Sequence, residues 1–343
     1  MEQTKDITIY DIAKAVDLSP ATVSRALKDH PAISKKTKDK VTKLAAELGY
    51  RANNFASNLR MQRTHTIGIM VHELNSNFIT SVIAGIESVT TAAQYDLIIA
   101  HSSESYIKEA ANARNLFHKR VDGLIASLAY DTTDFTHFTP FERKGIPVIY
   151  FDRVETGIAG TKVVIDNEEA GFKAVEHLLQ QGCKRIAHVT GNLKRNVYAD
   201  RLKGHQRALA AAGINWNQSL LMENDLSEQA SIDAAHAIAA MQPMPDAAFV
   251  TNDFCAAICM QTLKEKGIRI PQDIAFVGFN NDSVAKIVEP GLTTIHYAGF
   301  EMGKIVGKNM IDRLLHPGQS PIDTTITLQS DLIVRGSSLK KMV

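Results

Sequence analysis

At 343 residues the chain exceeds one typical domain, and its 45% apolar content is ordinary for a protein with substantial buried cores. No apolar run approaches the ~18 residues that span a bilayer, and the opening Met1-Glu2-Gln3-Thr4-Lys5-Asp6 is polar. These features argue against a membrane protein or a secretory leader, and a cytoplasmic location is expected. The net charge of +1 conceals a division: residues 1–65 carry 12 Lys and Arg against 7 Asp and Glu, hence +5, and the remaining 26 basic against 30 acidic side chains give −4.

The chain opens on Thr8-Ile9-Tyr10-Asp11-Ile12-Ala13-Lys14, followed by Ser19-Pro20-Ala21-Thr22-Val23-Ser24-Arg25-Ala26-Leu27. This pattern predicts two short helices joined by a tight turn. Ile12, Ala13, Val16, Leu18, Val23, Ala26 and Leu27 would share one small core. Ser19 suits an N-cap, and Pro20 suits the first helical position, where an N–H has no partner anyway. Thr22, Ser24 and Arg25 are left on the outer faces. A third helix is predicted after Ser34, with Val41, Leu44, Ala45 and Leu48 at helical spacing and Gly49 ending it. Lys35, Lys36, Lys38, Lys40 and Lys43 decorate its outside. A basic helix-turn-helix head suits a DNA duplex, because each neutralised phosphate releases condensed counterions.

A polar segment from Arg51 to Arg60 and the linker Met61-Gln62-Arg63-Thr64-His65 precede an abrupt change at Thr66-Ile67-Gly68-Ile69-Met70-Val71. From there, short apolar runs alternate with amphipathic stretches. Strands are predicted near 66–71, 95–100, 122–126 and 147–150, with helices near 77–92, 105–119 and 134–144. A second series places strands near 162–165, 185–189, 219–222, 247–250 and 274–278, with helices near 168–181, 198–212, 228–240 and 253–266. Such alternation implies parallel sheets covered by helices, and two series imply two similar lobes. Ligands of open α/β sheets bind beyond the carboxyl ends of the strands, so two facing lobes would make a cleft. Cys183, Cys255 and Cys259 are read as buried thiols, since C-x3-C in an apolar helix without a nearby histidine is a poor metal or redox pair.

These residues resemble the LacI/GalR (lactose-repressor/galactose-repressor) family of bacterial transcription regulators. The head resembles it through T-I-Y-D-I-A-K-A at 8–15, S-P-A-T-V-S-R-A-L at 19–27, A-I-S-K-K-T-K-D-K-V at 32–41 and L-G-Y-R at 48–51. The body does so through V-D-G-L-I at 121–125, P-V-I-Y-F-D-R at 147–153, R-I-A-H-V-T-G at 185–191, T-N-D at 251–253, I-A-F-V-G-F-N at 274–280 and L-T-T-I at 292–295. The resemblance implies an α/β protein with an all-α helix-turn-helix head at 1–50 and a hinge helix and linker at 51–65. It further implies a body at 66–343 like periplasmic binding proteins, with two parallel doubly wound sheets. Lobe 1 is expected at about 66–160 and 294–322, and lobe 2 at about 161–293 and 323–343.

Carried over by position, Ser19, Pro20, Ala21 and Arg25 face the major groove. Pro20 and Ala21 would read thymine methyls or shape, and Arg25 a guanine edge or a phosphate. Thr8, Tyr10, Thr22, Ser24 and Ser34 are candidate phosphate positioners, although Tyr10 and Thr22 equally suit packing or capping. In this family, paired hinge helices enter the minor groove and a leucine levers a base step apart. Leu59 holds that position, with Asn53 and Ala56 in matching places. The hinge segment is a weak helix former and should fold only when two copies meet on DNA. Ala52 departs from the proline usual in the family.

The resemblance assigns a small-molecule effector site to His72, Asn77 and Phe78 after the first strand, Ser127 after the third and Asp152 after the fourth. Arg195, Arg201, Asn252 and Asn280 come from the second lobe. Polar groups with one aromatic face suit a sugar or sugar derivative. Asn280 replaces an aspartate of well-known members. A homodimer on a palindromic operator is expected, with helices near 77–92 and 253–266 at the dimer surface. The eight residues after Arg335 are too few for a leucine-heptad tetramerisation helix. No metal or cofactor is expected.

Enzymatic readings fail on motif. There is no G-x-G-x-x-G or G-x-S-x-G, and Gly299-Phe300-Glu301-Met302-Gly303-Lys304-Ile305 is one residue short of a P-loop and lacks Ser or Thr after the lysine. It should lie where the chain crosses back into a helix. The rival readings are a cytoplasmic sugar-binding sensor without DNA function and a sugar-modifying enzyme. Neither needs the 19–27 helix or Leu59.

Overall fold

In a computed structural model, residues 7–50, 63–317 and 323–340 are described, and the chain divides into two units at Thr64/His65. The N-terminal unit holds α1 (Ile9–Val16), α2 (Pro20–Leu27) and α3 (Lys35–Glu47). Their shared core is Ile12, Ala13, Val16, Val23, Ala26, Val41 and Ala45, all buried, while Leu18, Leu27 and Leu44 are half-buried at its rim. Leu48, the last of the apolar residues at helical spacing in α3, caps that helix and is 39% exposed. The α1–α2 turn is closed by Asp17 in the left-handed region (φ 57°), which aspartate tolerates better than most residues. Of the decorating lysines, Lys38 pairs with Asp29 at 2.6 Å and Lys40 donates to the Val16 carbonyl at 3.4 Å. The hinge residues Asn53, Ala56 and Leu59, together with Ala52, lie outside the described residues.

The C-terminal unit contains two six-stranded sheets. The first has order β11-β5-β4-β3-β1-β2, with β1 Thr66–Val71, β2 Asp96–His101, β3 Gly123–Ala126, β4 Val148–Phe151, β5 Thr161–Ile165 and β11 Thr324–Leu328. All of its pairings are parallel. The second has order β12-β10-β9-β8-β6-β7, with β6 Ile186–Thr190, β7 Leu221–Glu223, β8 Ala247–Val250, β9 Ala275–Asn280, β10 Thr293–His296 and β12 Asp331–Ile333. Its edge strand β12 runs antiparallel to β10, and the other pairs are parallel. Central strands such as β3, β6 and β8 are buried on both faces, which is why they read as unbroken apolar runs. In each sheet the order reverses beside the first strand, between β1 and β3 and between β6 and β8, the position where doubly wound folds open a crevice.

The expected lobe boundaries need correction. Thr161–Ile165 pairs with β4 and Thr324–Leu328 pairs with β5, so both belong to the first sheet, whereas Thr293–His296 belongs to the second. Apolar alternation announces a strand but not the edge it joins. The short strands after residue 290 and the long helix Gly299–Leu315 carried no separate prediction, although the chain does enter that helix at Gly299. The stretch near 134–144 is a short 3-10 turn, Thr136–Phe138, followed by the helix Thr139–Arg143.

Two helix pairs brace the lobes through glycine contacts. Asn77–Thr90 packs against Gly299–Leu315, and Asn167–Gln180 against Asn196–Ala211. A Cβ on Gly85 would lie 2.2 Å from the Phe300 carbonyl oxygen, and one on Gly303 2.1 Å from that of Val82. In the second lobe, a Cβ on Gly171 would meet the Arg201 carbonyl oxygen at 2.3 Å, and one on Gly204 that of Glu168 at 2.0 Å. The three cysteines are buried free thiols, as expected.

Inside the second lobe, His188 and His205 are fully buried with Nδ1 atoms 2.8 Å apart, so one ring donates to the other. Burial pushes His205 down to about 3 and His188 well below its ordinary range, with His205 and Arg201 adding to the latter. The unfolded chain therefore takes up these protons first, and stability falls as pH drops from about 6.5 toward the folded values. Each ring should remove about 2 kcal/mol by pH 5. Urea unfolding of His205→Gln should accordingly lose about 2 kcal/mol less than the parent between pH 7 and 5; an unchanged difference would show that the pair is not held neutral.

Candidate DNA-reading helix and ligand cleft

The head places its polar side chains by capping. Thr8 forms a capping box with Asp11: its N–H and Oγ1 donate to Asp11 Oδ2 at 2.8 and 2.7 Å. Ser19 Oγ accepts from the Thr22 N–H at 3.1 Å, and Ser34 Oγ accepts from the Thr37 N–H at 3.3 Å. Pro20 takes the first helical position. Thr8, Ser19 and Ser34 therefore serve as caps, and Thr22 meets the Ser19 hydroxyl at 2.8 Å. Ala21 and Arg25 are exposed on α2, Ser24 is half-buried, and Tyr10 is 70% exposed on α1. The second helix of the pair thus presents Ala21 in its first turn and Arg25 in its last.

In the body, strand ends converge on a cleft of about 360 Å³. His72, Asn77, Phe78 and Asp152 line it from the first lobe, and Arg201, Asn252 and Asn280 from the second. Ser127 and Arg195 do not line it. The Ser127 hydroxyl sits 3.1 Å from His72 Nδ1, behind the surface, and Arg195 Nη2 donates to the Thr132 carbonyl at 2.7 Å, joining the lobes. Beside it, Asn196 clamps the first lobe's backbone: Nδ2 donates to the Asp152 carbonyl and Oδ1 accepts from the Val154 N–H, both at 3.0 Å.

Arg201 is held rigidly. Nε donates to Asn167 Oδ1 at 2.9 Å, Nη1 donates to the Thr251 carbonyl at 3.1 Å, and Cζ lies 3.5 Å from the centre of the Phe279 ring. Burial lowers its pKa, with Tyr297, Tyr198 and Asp152 opposing. Asp152 has φ 59°, and its Oδ1 accepts from Tyr297 Oη at 2.7 Å; burial raises its pKa against the pull of Arg153. Such left-handed residues at strand ends are strain typical of binding sites, and Asn280 (φ 116°) and Asn281 (φ 59°) repeat it after β9. Asn252 caps the helix Asp253–Glu265, accepting from the Cys255 N–H at 3.1 Å. Burial, then Arg153, holds His72 neutral, its pKa well below the usual value.

Several cleft residues were not anticipated. Tyr297 stacks on Phe78 with ring centres 3.9 Å apart, giving two aromatic surfaces where one was expected. Arg153 Nη1 donates to both Glu104 oxygens at 2.7 and 2.8 Å, and its Cζ lies 4.2 Å from the Tyr130 ring centre. Tyr198 meets Arg153 Nη2 and Tyr130 Oη, each at 3.2 Å. Arg153 directly follows Asp152 at the end of β4, so strand-end position was the available signal. The carboxylate absent at Asn280 returns two residues on, where Asn280 Nδ2 donates to Asp282 Oδ2 at 3.4 Å. Behind it, burial raises Asp253 to about 7, although Thr294 Oγ1 and the Asp282 N–H both donate to it.

Residues 8–53 match the model of the lacI family of bacterial regulatory proteins, and 175–338 match the periplasmic binding protein-like domain. Catabolite control protein A of Priestia megaterium is 30% identical, aligned over 88% of this chain and 90% of its own. The ribose operon repressor of Haemophilus influenzae is 29% identical over 96% and 98%. Among solved structures, a lac repressor dimer bound to operator and an anti-inducer superposes with TM-score 0.86 at 25% identity, covering 98% of this chain and all of that one. A complex of the transcriptional regulator CelR with cellobiose gives 0.73 at 26%, covering 96% and 99%. With head, sheets and cleft all of one pattern, the chain belongs to the lacI family: it is a DNA-binding transcriptional repressor with a periplasmic-binding-protein-like ligand domain.

Proposed function

We propose that the protein is a homodimeric repressor of the cytoplasm whose two heads grip the half-sites of a near-palindromic operator, and whose cleft binds a sugar or sugar derivative that resets operator affinity. The observation that carries the ligand reading is the cleft itself: the stacked Phe78–Tyr297 pair beside Arg201, Asp152 and Asn280. Aromatic faces cover the C–H side of a sugar ring, and fixed donors and acceptors meet its hydroxyls. Arg25 and Ala21 read base edges, Leu59 wedges the minor groove between paired hinge segments, and Asn53 and Ala56 flank it. Ligand-driven closure of the lobes alters the spacing of the two hinges, a coupling of about 5–150-fold in affinity.

A salt titration on a selected palindrome tests this, comparing the intact protein with Leu59→Ala. Binding should weaken steeply with salt, by roughly a thousandfold between 50 and 200 mM, and the variant should lose at least about tenfold. Addition of the cognate sugar should shift the titration in one direction. No preference over bulk DNA, with and without sugars, would leave a binding protein without operator function.

A further inference from the structure

The charges of the cleft are unequal. Its lining holds five carboxylates (Glu73, Glu104, Asp152, Asp225 and Asp282) and two guanidinium groups, Arg153 and Arg201. His72, held neutral, adds no positive charge. Arg153 is already matched by Glu104, with both carboxylate oxygens on Nη1. Arg201 has Nε and Nη1 engaged by neutral acceptors and one face covered by Phe279.

By contrast, among the described residues no Lys, Arg or His lies within ion-pair distance of Glu73, Asp225 or Asp282. Asp225 accepts from the Ser227 N–H at 2.9 Å, and Asp282 from Asn280 at 3.4 Å, so their partners are neutral. These three approach from both sides: Glu73 follows β1 in the first lobe, and Asp225 and Asp282 follow β7 and β9 in the second.

We infer that the cleft takes a polyhydroxylated ligand bearing no phosphate or carboxylate, and that it favours an amine-bearing ligand over the parent alcohol. This rests on the carbohydrate reading above and refines it. An anion entering the cleft would shed water next to uncompensated carboxylates, where Coulomb repulsion is screened less than in bulk solvent. An ammonium in place of one hydroxyl still donates hydrogen bonds and adds an attraction to Glu73, Asp225 and Asp282. Because Glu73 and Asp225 are exposed, the preference is modest and sensitive to salt.

Calorimetric titration of the full chain would test this with the glucose, galactose and mannose series, each as neutral hexose, 2-amino sugar, 6-phosphate and uronic acid. In the series that binds, the amino sugar should be about three- to tenfold tighter than the hexose at low salt, with the margin shrinking at high salt. The phosphate and uronate should be at least about tenfold weaker. In the variant carrying Glu73→Gln and Asp225→Asn, the ratio of amino-sugar to hexose affinity should fall, with Asp282 left as the remaining attraction. A phosphate or uronate as tight as the hexose, or a ratio unchanged by the double substitution, overturns the inference and leaves the carbohydrate reading standing. No binding in any series overturns both.

Discussion

Arg201→Ala is expected to abolish the ligand response and to lower the unfolding free energy by about 3–5 kcal/mol. The side chain is almost fully buried, and its removal strands Asn167 Oδ1 and the Thr251 carbonyl and bares the Phe279 ring. Because the arginine also faces the cleft, stability and recognition must be separated. Arg201→Met keeps most of the volume and packing, so it should cost only about 1–3 kcal/mol while removing every donor. Urea unfolding together with ligand titration of both variants makes the comparison. A methionine variant that binds ligand as well as the parent would confine Arg201 to a structural role.

Gly303→Ala should destabilise the first lobe by about 3 kcal/mol or more. In an isolated helix the same change is favourable by about 1 kcal/mol, because alanine has the higher helix propensity. Here the new Cβ would lie 2.1 Å from the Val82 carbonyl oxygen and 2.9 Å from Gly85 Cα, both backbone atoms that no rotamer change can move. The helices must separate, and the packing loss outweighs the propensity gain. Gly204→Ala should act alike in the second lobe, where the Glu168 carbonyl oxygen stands 2.0 Å away. Gly157→Ala is the control, since a Cβ there meets nothing within 4 Å. Thermal unfolding of the three variants checks the ranking; equal midpoints would mean that the helix pairs are less closely set than they stand here.

Much of this architecture was legible because its signals are local. The Ser19 cap, Pro20 and the Val23–Ala26 spacing fix α2 within a few residues, and the run from Ile67 to Val71 can bury itself only in the middle of a parallel sheet. Membership of a sheet is not local. Thr161–Ile165 looks like the start of a second series, yet it hydrogen-bonds to β4. The cleft divided along the same line. Asp152 and Asn280 stand at strand ends and Arg201 within the helix Asn196–Ala211, all named by motif, and they line it. Arg195 sits in an equally suggestive position, but its guanidinium turns to the Thr132 carbonyl, a partner distant in sequence. Tyr130 and Tyr297 lie in connections whose course only the packed lobes define.

The exchange of strands between the sheets has a consequence for biosynthesis. Strands β11 and β12, the outermost of their respective sheets, come from residues 324–333, and the helix that covers β3, β4 and β5 ends only at Leu315. A nascent chain emerging N-terminus first therefore carries both sheets unfinished until residues 324–333 have left the ribosome. Through that interval the Gly85 face of helix Asn77–Thr90 has no helix to lie on, a condition that favours aggregation and chaperone capture. A chain interrupted before residue 324 would hold a head able to fold early but no completed lobe to govern it. Neither half of the ligand-binding body is whole until that segment has emerged.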